Sequence, residues 1–355
     1  MPTPDTIQDW LRETDPDRLT DLWQKADRCR HENVGDVVHL RGLVEFSNRC
    51  RRSCMYCGLR APNGNLQRYT MSPDDILACA QQAVSFGYGT VVLQSGEEAA
   101  PSPEWLADVV RTIKHETPLS VTLSVGERPH DELALFREAG ADRYLLRFET
   151  SDRDLYDRIH PSRNGRRSDR FAILRDLRDL EYEVGSGVMI GIPGQTWDSL
   201  AHDIRLFREL DLDMIGVGPF IAHPETPLGR GDIASPEVGD DQVPATEQVT
   251  YKVLALTRLV GPRTNIPSTT ALATLNNTDG RELGLTRGAN VVMPNLTPPA
   301  FRSLYDIYPA KACLANDVAA CHRTLQARIT ALGRRLTRGR GPSLNYTARM
   351  ASAGA

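Results

Sequence analysis

The sequence lacks any run of about 18 apolar residues, the length that a membrane-spanning helix needs, so we expect no membrane span. Its first residues, Met-Pro-Thr-Pro-Asp-Thr, lack the basic segment and apolar core of a secretory signal, and a cytoplasmic location is expected. Neither sign of charge is in large excess, because 42 basic and 46 acidic side chains give a net charge of −4, and nucleic acid is not an expected partner. A basic run near the end of the 355 residues, from Arg334 to Arg340, is expected to be a solvated tail.

Cysteine is scarce and unevenly spread. Seven cysteines occur, none of them between Cys79 and Cys313, and three stand within eight residues as Cys50-Arg-Arg-Ser-Cys54-Met-Tyr-Cys57. In a reducing compartment such a cluster indicates metal ligands rather than disulfides. Zinc usually takes four ligands in two pairs, whereas three thiolates hold a four-iron cluster at three irons and leave the fourth open to a small molecule. We therefore predict a 4Fe-4S cluster bound by these three cysteines.

Short β-rich runs alternate with amphipathic segments of helical length. Eight such runs favour a (β/α)8 TIM-type barrel, with a doubly wound open sheet as the alternative. The barrel is favoured because polar or glycine-rich residues follow each run, and a barrel gathers the carboxyl ends of its strands on one face. Two short helices precede it within 4–33, so we predict an N-terminal helical region (1–36), a barrel domain (37–312) and a short C-terminal extension (313–355). The predicted strands are 39–46, 90–95, 120–125, 142–149, 184–191, 213–220, 264–270 and 289–295.

The spacing Cys-x3-Cys-x2-Cys, with Tyr56 just before the last cysteine, resembles the signature of radical S-adenosylmethionine enzymes. In that superfamily the methionine part of S-adenosylmethionine chelates the open iron. One electron from the cluster then releases a 5′-deoxyadenosyl radical, so the cofactor carries the difficult chemistry. The resemblance implies both the cluster and S-adenosylmethionine as cofactors. The cofactor-binding residues that it implies here are Tyr56, Gly96, Glu97, Ser124, Glu149 paired with Arg170, and Ile192.

Longer strings, such as Val92-Leu93-Gln94-Ser95-Gly96-Glu97 and Met293-Pro294-Asn295-Leu296-Thr297, resemble one family of that superfamily, the FeFe-hydrogenase maturase HydE. The resemblance covers about residues 35–312. It implies a radical that attacks the cysteine sulfur of an iron–CO–cyanide–cysteine complex, toward the dithiomethylamine-bridged two-iron subcluster of the hydrogenase. It also implies transient contacts with the other maturases and with an electron donor. The contacts implied for the small organometallic substrate are Arg147, Thr269, Thr270, Met293 and Tyr305.

Other functions are also compatible with the motif. Methylornithine synthase and biotin synthase share the barrel and the triple cysteine, and act on a small amino acid or thiol substrate. Biotin synthase needs further barrel cysteines, which are missing here, and this counts against it. A non-catalytic iron–sulfur carrier, from another functional class, would hold a cluster without consuming S-adenosylmethionine.

Some positions depart from the HydE pattern or have structural explanations. Some HydE proteins hold a second cluster near the C-terminus, but Thr324 stands where its third cysteine would be plausible, so no second cluster is expected at Cys313, Cys321 and His322. Phe148 replaces a histidine found in some relatives, and we expect it to change the polarity of the cavity. The apolar spacing around Cys79 predicts a core residue, and His223 is expected to position its neighbours rather than bind metal.

Overall fold

The computed structural model describes residues 4–99, 101–233, 238–311 and 317–353. Two helices come first, α1 (Pro4–Arg12) and α2 (Pro16–Val34). The carboxylate of Asp15 caps α2 by accepting from the first backbone N–H groups, and Pro16 suits its first turn. The prediction of two helices within 4–33 is confirmed, although α2, with 19 residues, is not short.

The strands that follow are β1 (Val37–Ser47), β2 (Thr90–Ser95), β3 (Ser120–Ser124), β4 (Arg143–Leu145), β5 (Glu183–Ile190), β6 (Met214–Pro219), β7 (Val291–Val292) and β8 (Arg335–Thr337). The helices between and after them are α3 (Pro73–Ser85), α4 (Pro103–Glu116), α5 (His130–Glu138), α6 (Arg153–Ile159), α7 (Arg170–Asp179), α8 (Trp197–Glu209), α9 (Pro227–Arg230), α10 (Glu247–Val260), α11 (Thr270–Leu275), α12 (Gly280–Leu285), α13 (Pro299–Arg302), α14 (Val318–Ala331) and α15 (Leu344–Ala353). A 3-10 turn spans Gly239–Asp241.

The sheet is parallel and curls into a barrel. Its strands run in the order β6-β5-β4-β3-β2-β1-β7, and single parallel bridges from Met214 to Asn265 and from Pro267 to Val291 close the ring. The predicted (β/α)8 architecture is confirmed. The seventh predicted strand, 264–270, is reduced to those bridges because α11 begins at Thr270. The domain boundaries at 36 and 312 stay predictions.

Apolar side chains fill the space between the sheet and the surrounding helices. Every residue of β5 and β6 is buried, as expected for strands that are covered on both faces. Cys79 of α3 lies in this core with 4% of its surface exposed, which confirms its predicted position. None of the helices in the described ranges is long and apolar enough to span a membrane.

The C-terminal segment closes the amino-terminal end of the barrel. The carbonyl oxygen of Gly341 accepts from Arg41 and Asn265, both at 3.1 Å, and the carbonyl of Arg340 accepts from Arg143 at 2.8 Å. Strand β8 adds to the start of β1 just before this contact. The expectation of a solvated basic run holds for the exposed side chains of Arg335, Arg338 and Arg340. The run is not a free tail, however, because its backbone satisfies buried arginine and asparagine donors of the barrel.

Ser343 anchors this closure and gives a stability prediction. Its buried hydroxyl donates to Asp213 at 2.8 Å and accepts the backbone N–H of Tyr346, at the start of α15. We expect Ser343→Ala to lower the free energy of unfolding by about 1–3 kcal/mol, measured by chemical denaturation, because a buried carboxylate loses a donor and a helix loses its cap. The control is Ser352→Ala, an exposed serine on the same helix, which is expected to change it by less than about 0.5 kcal/mol. Equal effects of the two substitutions would contradict the anchoring role.

Candidate active site

One cavity of about 810 Å³ extends through the barrel interior to the carboxyl ends of the strands. Its walls bring together residues that lie far apart in the sequence, because parallel strands place their ends on one face. Two predicted residues, Gly96 and Ile192, do not line it. The predicted site residues that do are Cys50, Cys54, Tyr56, Cys57, Glu97, Ser124, Arg147, Glu149, Arg170, Thr269, Thr270, Met293 and Tyr305.

The three cysteines lie on the irregular loop after β1, and a single arginine holds that loop in shape. The guanidinium of Arg68 donates to the backbone carbonyls of Asn48 and Leu59 at 2.7 and 2.8 Å, and to those of Arg60 and Asn63 at 2.8 and 3.2 Å. A loop without regular structure must satisfy its carbonyl groups in some other way, and here one side chain satisfies four. Arg68 thus holds the two flanks of the segment that carries the three cysteines.

The electrostatics of the cysteine loop fit a metal cluster. Burial raises the pKa of all three thiols, to about 12 for Cys57, and the charges that they would carry as thiolates raise the pKa of Cys54 and Cys57 further. Bound iron removes this penalty because it takes the thiolate form directly. No three Cys, His, Asp or Glu side chains within the described ranges converge on a single metal ion. In a cubane, by contrast, each thiolate binds a different iron.

Gly96 contributes close packing rather than a cavity surface. A Cβ atom at this position would lie 2.2 Å from the carbonyl oxygen of Arg49 and 2.8 Å from the Cβ of Cys50. The neighbouring backbone is hydrogen-bonded across the same contact, from the N–H of Arg51 to the carbonyl of Glu97 at 2.7 Å. Only glycine lets the end of β2 approach the cysteine loop this closely.

This packing gives a second prediction. We expect Gly96→Ala to lose most of its reconstituted cluster, and to lose about 1–3 kcal/mol of folding stability, because the loop must move away from β2. Iron and sulfide analysis after anaerobic reconstitution measures the first effect. The matched control is Gly64→Ala in the same loop, where a Cβ atom would meet nothing within 4 Å. If Gly96→Ala protein binds as much iron and sulfide per chain as Gly64→Ala protein, the packing argument is contradicted.

Glu127 is a site residue that sequence reasoning missed. Its carboxylate accepts from Ser168 at 2.5 Å, from Arg170 at 3.0 Å and from Arg52 at 3.3 Å. Burial raises the pKa of Glu127, but the charges of Arg170 and Arg52 and the hydrogen bonds from Ser168 and Arg170 together outweigh burial, so its pKa is lowered. The signal was present in the sequence, because Glu127 follows a glycine at the end of β3 as Glu97 does at the end of β2.

Arg170 and Glu149 are less closely paired than predicted. Their charged atoms are 3.9 Å apart, whereas Glu149 lies 2.9 Å from the guanidinium of Arg147. Glu149 has a φ of 66°, an uncommon conformation for a residue with a side chain, and such strain concentrates at functional sites. Its Oε2 atom is buried without a hydrogen bond of acceptable geometry. Because Oε2 is covered by protein and faces Arg147, a ligand that carries N–H or O–H groups would have to use Oε1 instead.

The predicted substrate contacts form another part of the cavity wall. Thr269 also caps α11 by accepting from the backbone N–H of Leu272 at 3.3 Å, and the phenol of Tyr305 accepts from Gln94 at 3.2 Å. Lys311, which the sequence did not indicate as a site residue, lines the same wall. Its ammonium lies 2.8 Å from both carboxylate oxygens of Glu45. No local pattern marks this pair, since 266 positions separate the two residues.

Two residues that were expected at the cavity, Ile192 and Phe148, pack into apolar clusters instead. Ile192 is fully buried in a small apolar cluster with Leu155 and Ile159, against which Tyr56 packs. Phe148 packs against the rings of Phe171 and Phe207, at centroid distances of 5.1 and 5.9 Å, and does not line the cavity. The prediction that Phe148 changes the polarity of the cavity is therefore wrong.

Two histidines outside the cavity have structural partners. His223 accepts the N–H of Glu225 at Nδ1 and lies 3.0 Å from a carboxylate oxygen of Asp306 at Nε2, which agrees with a positioning role. His322 stacks on Phe86 with ring centroids 4.4 Å apart, and its Nδ1 lies 2.8 Å from the hydroxyl of Tyr88. Cys313 lies outside the described residues, so the expectation of no second cluster stays a prediction.

Comparison with known proteins is consistent with this site. The model of the Radical SAM superfamily matches residues 44–207. The FeFe hydrogenase maturase subunit HydE of Thermotoga maritima is 45% identical over 314 residues, covering 88% of this chain and 86% of that one. The 3-methylornithine synthase of Methanosarcina acetivorans is 27% identical over 278 residues, covering 78% and 74%. The crystal structure of methylornithine synthase (PylB) superposes with a TM-score of 0.80 at 23% identity, covering 99% and 96% of the two chains.

Proposed function

The chain belongs to the HydE family of radical S-adenosylmethionine enzymes, and from that premise we propose that it acts on the sulfur of an iron–CO–cyanide–cysteine complex during FeFe-hydrogenase maturation. The bound cluster and S-adenosylmethionine would supply a one-electron cleavage that yields a 5′-deoxyadenosyl radical. The product would lead toward the dithiomethylamine-bridged two-iron subcluster. Transient contacts with the other maturases and with an electron donor belong to the same proposal.

The observation that carries the proposal is the continuity of the cavity. The cysteine loop and the wall formed by Arg147, Thr269 and Tyr305 line a single cavity, so a radical formed at one end can reach a substrate at the other without leaving the protein. Exclusion of water protects a reactive intermediate from side reactions.

We assign the charged side chains to two ligands, and the boundary between the two then falls at the ion pair of Glu149 and Arg147, whose charged atoms are 2.9 Å apart. On the cofactor side, Glu97 and Glu149 would accept from the amino group and ribose hydroxyls of S-adenosylmethionine. Arg170 is held in place by Glu127 and donates to the backbone carbonyl of Arg147 at 2.5 Å, so it orients the strand end that carries Glu149.

On the substrate side, Arg147 and the threonine hydroxyls of Thr269 and Thr270 present donors to cyanide nitrogen and carboxylate oxygen. Arg147 is the only one of these three that carries charge, and its guanidinium already pairs with Glu149 at 2.9 Å and donates to the carbonyl of Val188 at 2.6 Å. An anionic ligand would therefore share Arg147 with Glu149, through the part of the guanidinium that stays exposed.

The proposal is tested in two stages. The reconstituted, dithionite-reduced protein is first assayed for 5′-deoxyadenosine and methionine, and a non-catalytic carrier would release neither while retaining its cluster. The iron–CO–cyanide–cysteine complex, cysteine, lysine and ornithine-type amino acids are then compared as substrates. We expect faster consumption of S-adenosylmethionine, with modification at sulfur, only with the iron complex. A product from the amino acids alone would favour a methylornithine synthase-like reaction instead.

A further inference from the structure

His160 bridges a cluster cysteine and the aromatic residue of the cysteine motif. Its Nδ1 atom lies 3.3 Å from the sulfur of Cys54, and its Nε2 atom lies 2.7 Å from the hydroxyl oxygen of Tyr56. The residue follows the last turn of α6 and exposes only 3% of its surface. Both ring nitrogens of a buried histidine thus point at groups of the predicted cluster and cofactor site.

Packing fixes the plane of the ring. The imidazole stacks on Tyr156 with centroids 4.7 Å apart and an angle of 7° between the planes. The hydroxyl of Tyr156 is itself held by Ser168 at 2.7 Å. The stack holds the plane of the ring, and the contact of Nε2 with the Tyr56 hydroxyl favours this orientation over the one turned by half a rotation, which would place a carbon there.

The chemistry of the partners then decides which nitrogen carries the proton. A cysteine bound to iron is a thiolate, which accepts hydrogen bonds and donates none. An uncharged imidazole has one N–H and one acceptor nitrogen. Contact with the thiolate therefore requires the N–H at Nδ1, which leaves Nε2 to accept from the hydroxyl of Tyr56.

One consequence concerns Glu149. Its Oε1 atom is 3.5 Å from the Tyr56 hydroxyl, at the outer limit of a hydrogen bond. If Tyr56 donates its proton to His160, it cannot also donate to Glu149. The Oε1 atom of Glu149 then receives no proton from Tyr56 and can accept a hydrogen bond from a bound ligand.

We propose that His160 is a positioning residue that donates a hydrogen bond from Nδ1 to the Cys54 thiolate of the bound cluster and so raises the reduction potential of that cluster. A hydrogen bond to a ligand sulfur withdraws electron density from it and stabilises the reduced state, which carries one more negative charge. The inference depends on the cluster and not on the identity of the substrate.

Two conservative substitutions test the roles of the two ring nitrogens separately. The amide nitrogen of asparagine can occupy the place of Nδ1, whereas that of glutamine reaches the place of Nε2. We expect the cluster midpoint potential in His160→Gln to be lower than in the wild type, and that of His160→Asn to remain near it, in potentiometric titrations followed by EPR. Iron and sulfide content per chain controls for incomplete loading. Midpoints equal to the wild type in both variants would overturn the proposal.

A second measurement needs no variant. The protein is prepared with 15N-labelled histidine, reduced without S-adenosylmethionine and studied by pulsed EPR. We expect a 15N coupling to the cluster that is absent from unlabelled protein and from His160→Gln. A normal reduced-cluster signal without this coupling would refute the role of His160 alone. Failure to obtain any cluster signal would instead count against the cluster assignment on which the proposed function also depends.

Discussion

Cys54→Ala protein is expected to hold no 4Fe-4S cluster and to release no detectable 5′-deoxyadenosine from S-adenosylmethionine. A cubane held by three thiolates loses a third of its protein ligands with this change, and the remaining two cysteines do not compensate. The open iron also loses its defined place relative to Glu97 and Glu149. Iron and sulfide analysis, the absorbance of the reconstituted protein and chromatography of the reaction products measure these losses.

The control removes a cysteine that lies far from the cavity. Cys29 of α2 is half-buried, and its sulfur is 3.6 Å from the carbonyl oxygen of Arg258. Cys29→Ala is expected to retain the cluster and its cleavage activity. The assignment of the cluster to Cys50, Cys54 and Cys57 fails if Cys54→Ala still forms an EPR-active cluster with wild-type iron content.

The features that could be predicted from the sequence are those encoded by short spacing or by strand order. The cysteines at 50, 54 and 57 lie within eight residues of one another, so they could be placed together without knowledge of the fold. Glu97 and Ser124 could be placed because each stands at or just past the end of a β-rich run, and a parallel barrel gathers such ends. The place of the seventh barrel strand, predicted at 264–270, is also correct, although its pairing is too short to form a regular strand.

The features that could not be predicted depend on side-chain direction or on distant partners. Phe148 lies beyond the regular part of β4, where the inward and outward alternation of a strand no longer applies, so its packing against the helices could not be read from its position. The guanidinium of Arg170 lies 3.0 Å from the carboxylate of Glu127 but 3.9 Å from that of Glu149. Only the three-dimensional arrangement decides a difference of this size.

The Glu45–Lys311 ion pair, also missed by sequence reasoning, gives the largest expected effect on stability. Both side chains are nearly inaccessible to solvent, and Asn295 donates to the same carboxylate at 2.8 Å. We expect Lys311→Met to lower the free energy of unfolding by about 3–5 kcal/mol in the apoprotein, because it leaves a buried carboxylate without its counter-charge. Guanidinium denaturation followed by circular dichroism measures the change.

A pH dependence and a double substitution distinguish this cause from simple loss of packing. Burial already raises the pKa of Glu45 against the opposing charge of Lys311, so removal of the lysine raises that pKa further. A group whose pKa is higher in the folded than in the unfolded state binds its proton more tightly when folded, and the resulting stability is lost as the pH rises. The deficit of Lys311→Met is therefore expected to be larger at pH 8 than at pH 5.

In the double variant Glu45→Gln/Lys311→Met the charge is absent, and most of the lost stability should return at both pH values. The matched control is Arg230→Met, which removes one partner of the exposed pair between Arg230 and Asp232 and should cost less than about 1 kcal/mol. If the double variant is as unstable as Lys311→Met, and neither responds to pH, the loss comes from packing and not from an uncompensated charge. In that case Lys311 would fill space at the cavity wall rather than neutralise Glu45.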